Sequence, residues 1–122
     1  MISHIKLVNI PVKDQQRALD FYTEKLGFSV KTDASFGDQR WIELATPDGE
    51  TRVVLFTLEE YAGLIGKFQN IVFATDDVHK SYDELSEKGV EFVKGPTEEH
   101  WGIYAMFKDS EGNQFVLSSS SE

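Results

Sequence analysis

One acidic residue stands among aromatic and aliphatic neighbours at strand spacing: Arg40-Trp41-Ile42-Glu43-Leu44. Side chains alternate across a strand, so Trp41 and Glu43 share a face. A carboxylate beside an indole is partly desolvated, which raises its pKa and suits a general acid or base. The same pair suits a bound cation, with the indole supplying a π face. A third arrangement needs no ligand: Glu43 pairs with Arg40 or Arg52 across a hairpin, or faces water as most charged residues do. The histidines are His4, His79 and His100, none at His-x-x-x-His spacing, so no metal motif is visible. His4 lies near the edge of a first strand, and His79 falls in the first turn of a helix. His100 precedes Trp101 in a loop placed to close over a cleft mouth, where an imidazole can move protons or be a plain loop residue. Gly-x-Ser-x-Gly does not occur, and Gly63-Leu64-Ile65-Gly66 lacks the Lys-Ser/Thr of a phosphate loop.

The elements that must position these residues come twice. Asp14 precedes Gly27 and Asp76 precedes Gly89 by the same 13 residues. Each pair brackets an amphipathic helix, with Ala18, Leu19, Tyr22 and Leu26 on one stripe and Val78, Tyr82 and Leu85 on the other. Asp14 caps the first helix, Asp76 or Asp77 the second, and a glycine stops each. A Gly-centred turn recurs at Thr46-Pro47-Asp48-Gly49 and Asp109-Ser110-Glu111-Gly112. Strands are predicted over 5–10, 28–31, 40–45 and 51–57, then 70–74, 90–93, 103–108 and 114–118. The order strand, helix, strand, strand, strand therefore occurs twice. Residues 33–38 read as a polar loop and 118–122 as a frayed tail. Phe36, in that loop, is a lid residue or a packing residue, with packing preferred. This defines one domain of two modules, 1–58 and 68–122, joined by a linker, 59–67, with room for a short helical turn. A unit of about 60 residues alone buries too little surface, so the two are expected to share a sheet with a cleft between them.

Composition excludes several functions. At 122 residues and 40% apolar content the chain can build a core. With 12 basic against 21 acidic residues its net charge is -9, and no basic run suits a phosphate backbone. Nucleic acid is not an expected partner. The acidic balance mildly favours neutral or cationic ligands. There is no cysteine, so thiolate chemistry and disulfides are out. No apolar run reaches membrane or signal length, and a cytoplasmic location, away from membranes, is the expectation.

Two segments carry a family likeness. One is Arg17-Ala18-Leu19-Asp20-Phe21-Tyr22-Thr23-Glu24-Lys25-Leu26-Gly27-Phe28. The other is Trp101-Gly102 followed by Asp109-Ser110-Glu111-Gly112-Asn113-Gln114-Phe115. With the repeat, they resemble the vicinal oxygen chelate superfamily, which includes glyoxalase I, extradiol dioxygenases, and fosfomycin- and bleomycin-resistance proteins. The second segment's spacing is similar to the bleomycin-resistance proteins. The resemblance covers nearly the whole chain. It implies an α+β fold of two tandem βαβββ modules, a curved mixed sheet around a cleft, and a homodimer. Metal-dependent members place His or Glu at four inward positions. Here those positions are Leu7, Asn70, Val116 and Val53, or Leu55 if the first turn is aligned differently. None is a His or a carboxylate, so neither a metal site nor a cofactor is expected.

Alternation then sorts the strands. One face carries Ile42, Leu44, Val54, Phe56, Ile71, Phe73, Ala105, Phe107, Phe115 and Leu117 and should meet the helices. The other carries Leu7, Asn9, Trp41, Glu43, Val53, Leu55, Asn70, Val72, Tyr104, Met106, Gln114 and Val116. With Trp101 as a wall or a dimer contact, this second set has the mixed make-up of a ligand pocket. The expectation is a metal-free small-molecule-binding protein whose ligand is apolar or planar and can be cationic. An alternative is a glyoxalase-like lyase or isomerase with Glu43 as base and a metal recruited by His4 or His100. Another is an accessory domain without chemistry.

Overall fold

A computed structural model of the chain describes residues 1–119. Its strands fall into two four-stranded mixed sheets, one per repeat, rather than one hydrogen-bonded sheet. The first compact unit is Met1–Ile65 and the second Gly66–Glu122, with the boundary inside the expected linker.

The first unit runs β1 (Val8–Pro11), α1 (Gln15–Asp20), β2 (Ser29–Phe36), β3 (Gln39–Ala45) and β4 (Arg52–Phe56). Its sheet order is β1-β4-β3-β2, with β1 parallel to β4 and the other pairs antiparallel. The Asp14 carboxylate accepts from the Arg17 amide and caps α1. After α1 the chain widens into a π-helical turn, Phe21–Lys25, that buries Phe21 and Tyr22 together. Gly27 then takes a left-handed φ of 75°, which a residue with a Cβ resists. Ile5 to Leu7 lie outside β1, because pairing with β4 begins at Val8. The expected loop over 33–38 is mostly strand: β2 continues to Phe36, and only Gly37 and Asp38 turn the chain into β3. A polar edge strand shows no apolar alternation, so its pattern resembles a loop. Residues Glu59–Leu64 of the linker form an exposed 3-10 turn.

The second unit repeats the plan with β5 (Phe68–Ala74), α2 (Val78–Glu87), β6 (Phe92–Glu99), β7 (Gly102–Lys108) and β8 (Gln114–Ser119), in order β5-β8-β7-β6. Asp77, not Asp76, caps α2 through the Lys80 amide. β6 runs six residues beyond the expected end at Val93, through Gly95 and Pro96, with register shifts on either side of Lys94. Those irregularities hid it from pattern reading. Ser118 and Ser119 belong to β8; the rest of the expected frayed tail lies outside the described residues.

Each core centres on one face of its sheet, and in the first sheet Ala45 and Val54 are buried on the other face as well. In the first unit Ile42 opposes Leu55 and Leu44 opposes Val53, all at most 1% exposed. In the second, Phe73, Phe92, Phe107 and Phe115 form a cluster of rings that Tyr82 of α2 joins at 4.6 Å from Phe92.

Candidate functional site

The register of β3 with β4 decides which first-unit residues share a face. Residues directly opposite in a ladder point the same way. Glu43 opposes Val54, and β1 adds Asn9 opposite Val54. Trp41, Glu43, Arg52, Val54, Phe56 and Asn9 therefore form one face. Val53 and Leu55 lie on the other, with Ile42 and Leu44, and leave the expected pocket set. Their place passes to Val54 and Phe56. The cause is legible in Arg52-Val53-Val54-Leu55-Phe56: four apolar residues in a row carry no alternation to set the phase. Leu7 precedes β1 and is half-buried. Phe36 shares the face of Trp41 through the β2–β3 register and is 68% exposed, so the packing role expected of it is overturned.

Glu43 has protein partners. Arg52 donates from a guanidinium nitrogen to one carboxylate oxygen at 2.9 Å, and Trp41 Nε1 approaches the other at 3.4 Å. Arg40 is taken by Asp33 in a two-pronged pair at 2.9 and 2.8 Å, which holds the Asp33 carboxyl below its usual range. The charge of Glu43 is thus matched within its own sheet, and the face offers no unpaired carboxylate there for a cation.

The second unit keeps the expected faces. Tyr104 opposes Ser118, Met106 opposes Val116, and Val72 opposes Val116 across the parallel pair. Gln114 opposes Lys108 on the same face. Asn70 departs: it has a φ of 58° where the β5–β8 register shifts, so alternation cannot be extended to it from Val72. His100 and Trp101 are not a flap. Glu99 pairs with Gly102, leaving them as the two residues of a tight β6–β7 turn.

That turn sets Trp101 on Tyr104, with ring centroids 5.6 Å apart and planes inclined by 24°. Trp101 is 51% exposed, so much of the indole meets solvent. Lys94, from β6, donates to the Tyr104 hydroxyl oxygen and sits 4.8 Å from the ring centroid. That hydrogen bond raises the Lys94 ammonium above its usual range, with Glu99 adding to the effect. Sequence reasoning missed Lys94, because its strand was not foreseen.

Two such modules in tandem, each a four-stranded mixed sheet with a helix, define an α+β class of paired βαβββ units. The family model of the Glyoxalase/Bleomycin resistance protein/Dioxygenase superfamily matches residues 2–117, and the chain belongs to that superfamily. The uncharacterized protein YetH of Bacillus subtilis (strain 168) is 37% identical over 96% of this chain and 98% of its own. TnmS3, an antibiotic binding protein from Streptomyces sp. CB03234, is 35% identical in its crystal structure, with a TM-score of 0.86 over 98% of each chain. A superfamily member from Sphaerobacter thermophilus DSM 20745 is 33% identical, with a TM-score of 0.88 over 98% of each chain.

The superfamily's metal asks for imidazole or carboxylate donors. The positions that the family likeness implies for those donors are Leu7, Asn70, Val116 and Val53 or Leu55, and Val54, which the register puts on the face of Glu43, is no donor either. Among the described residues no three His, Asp or Glu side chains gather closely enough to hold an ion. His4, His79 and His100 are exposed. None of the positions implied for the donors carries a histidine or a carboxylate. Among the described residues no helix is long and apolar enough to cross a membrane.

Proposed function

We propose that this protein binds a planar, largely apolar organic molecule, without a metal, as a homodimer. The observation that carries the reading is the exposed Trp101–Tyr104 stack on the face that also holds Val72, Met106 and Val116. A half-exposed indole already stacked on a phenol presents a flat surface that a further ring extends. Met106 adds an adaptable wall. The likeness to TnmS3 supports an antibiotic-like ligand class. Glu43, tied to Arg52, acts here as one end of a fixed charge pair rather than as a proton acceptor.

Pyrene carboxamide, a flat neutral probe, tests this by fluorescence titration. Saturable binding is expected, weakened about tenfold or more by Trp101→Ala. Unsaturable binding, or an unchanged affinity in the variant, would overturn the reading. Dimerisation has a separate check. Sedimentation at micromolar concentration is expected to give twice the chain's 13.8 kDa, and a monomer would contradict it.

A further inference from the structure

One polar cluster on the second unit's mixed face centres on Lys94 and Tyr104. Arg40 is matched to Asp33, Arg52 to Glu43, and Lys108 to Glu91 at 3.3 Å. Among the described residues Lys94, like Lys6, Arg17, Lys31, Lys67 and Lys80, has no carboxylate at ion-pair distance; what sets it apart is that its hydrogen bond goes to the Tyr104 oxygen, beside an exposed indole. A phenol oxygen that accepts in this way directs its own O–H elsewhere. Among the described residues, neither that O–H nor the remaining Lys94 N–H groups meet an acceptor, and the Trp101 indole N–H meets none. Two donors, the Lys94 ammonium and the Tyr104 hydroxyl, therefore adjoin on one aromatic step. In a chain of net charge -9, an ammonium held against a phenol rather than a carboxylate runs against the surrounding composition.

We propose that the ligand is an aromatic acid: its ring stacks on Trp101, and its carboxylate, enolate or acidic phenol accepts from Lys94 and Tyr104. This rests on the planar-ligand reading above and narrows it. An anionic oxygen can take a charge-assisted hydrogen bond from the ammonium and a second bond from the phenol. A cationic ligand would instead face the Lys94 charge directly. An anionic ligand runs against the cation preference suggested by net charge and by Glu43: Glu43 is tied to Arg52, and the donors that meet the ligand directly are Lys94 and Tyr104, with Glu99 near enough to act on Lys94 but not paired with it.

Three pyrene probes separate the cases: the carboxylate, the neutral carboxamide and the methylammonium. The carboxylate is expected to bind about tenfold or more tighter than the carboxamide, with the methylammonium weakest. Lys94→Met should bring acid and amide within about twofold of each other, chiefly by weakening the acid, and Lys94→Arg should keep the preference. Lys94 is exposed, so these variants are expected to retain the wild-type circular dichroism. Equal binding of acid and amide, tighter binding of the cation, or a preference that survives Lys94→Met would overturn the aromatic-acid proposal while the planar-ligand reading stands. Failure of all three probes to saturate would remove both.

Discussion

Phe107→Ala is expected to cost about 4 kcal/mol of stability, and to lower the thermal midpoint by more than about 10 °C. Phe107 is 2% exposed and lies between three other rings, with centroids 6.2 Å from Phe73, 6.0 Å from Phe92 and 5.6 Å from Phe115. Truncation removes the buried ring's transfer energy and leaves a cavity. β7 pairs with both β6 and β8, so its backbone is not free to collapse inward. Phe107→Leu, which refills most of the space, should lose less than half as much. Urea denaturation of both variants measures the difference. A loss below about 1 kcal/mol for the alanine variant would show that the ring cluster is not the second unit's core.

That face was legible from the sequence because β7 and β8 alternate cleanly. Tyr104 and Met106 are set off from Ala105 and Phe107, and Gln114 and Val116 from Phe115 and Leu117. The repeat and both helices were legible for a related reason: Asp14, Asp77, Gly27 and Gly89 mark helix ends by side-chain capping and by positive φ. What stayed hidden was long-range pairing. The phase of β4 is set by its partners and not by Val53-Val54-Leu55, all buried. The side-chain choice of Glu43 between Arg40 and Arg52 was likewise settled only by register, which puts Arg52 opposite Ala45, diagonal to Glu43. The Lys94–Tyr104–Trp101 cluster joins two strands across a hairpin whose first arm contains Gly95 and Pro96, residues that argue against a strand.

A second large effect is expected at Asn113, which reads in the sequence as turn chemistry alone. Its side chain is fully buried. Its amide oxygen accepts from the Gly66 N–H at 2.8 Å and from the Gln69 amide at 3.1 Å, and its amide nitrogen donates to Asp109 Oδ2 at 3.0 Å. The other Asp109 oxygen accepts from the Glu111 and Asn113 amides, which closes the turn. Asn113→Leu keeps the branched shape but takes one partner each from the Gly66 N–H, the Gln69 amide and the Asp109 carboxylate. The cost should be about 3 kcal/mol, since each buried group left unpaired costs about 1–3 kcal/mol. Asn113→Asp restores the acceptor but sets two carboxyls side by side. Repulsion then raises a folded-state pKa above the unfolded value of about 4. This variant should approach wild-type stability below that pH and lose it as pH rises. Denaturation at acid and neutral pH reads the sign, and a deficit independent of pH would show that the two carboxyls do not interact.

The outer strands differ in their use as templates. β6 carries Pro96, which lacks an N–H, two register shifts and the charged pair Glu98 and Glu99. β2 is eight residues long, free of proline, and interrupted once, near Lys31. Of these two edges, β2 is therefore the better template for strand-by-strand growth into fibrils or for invasion by a foreign extended peptide, with Lys31 and Asp33 as its gatekeepers.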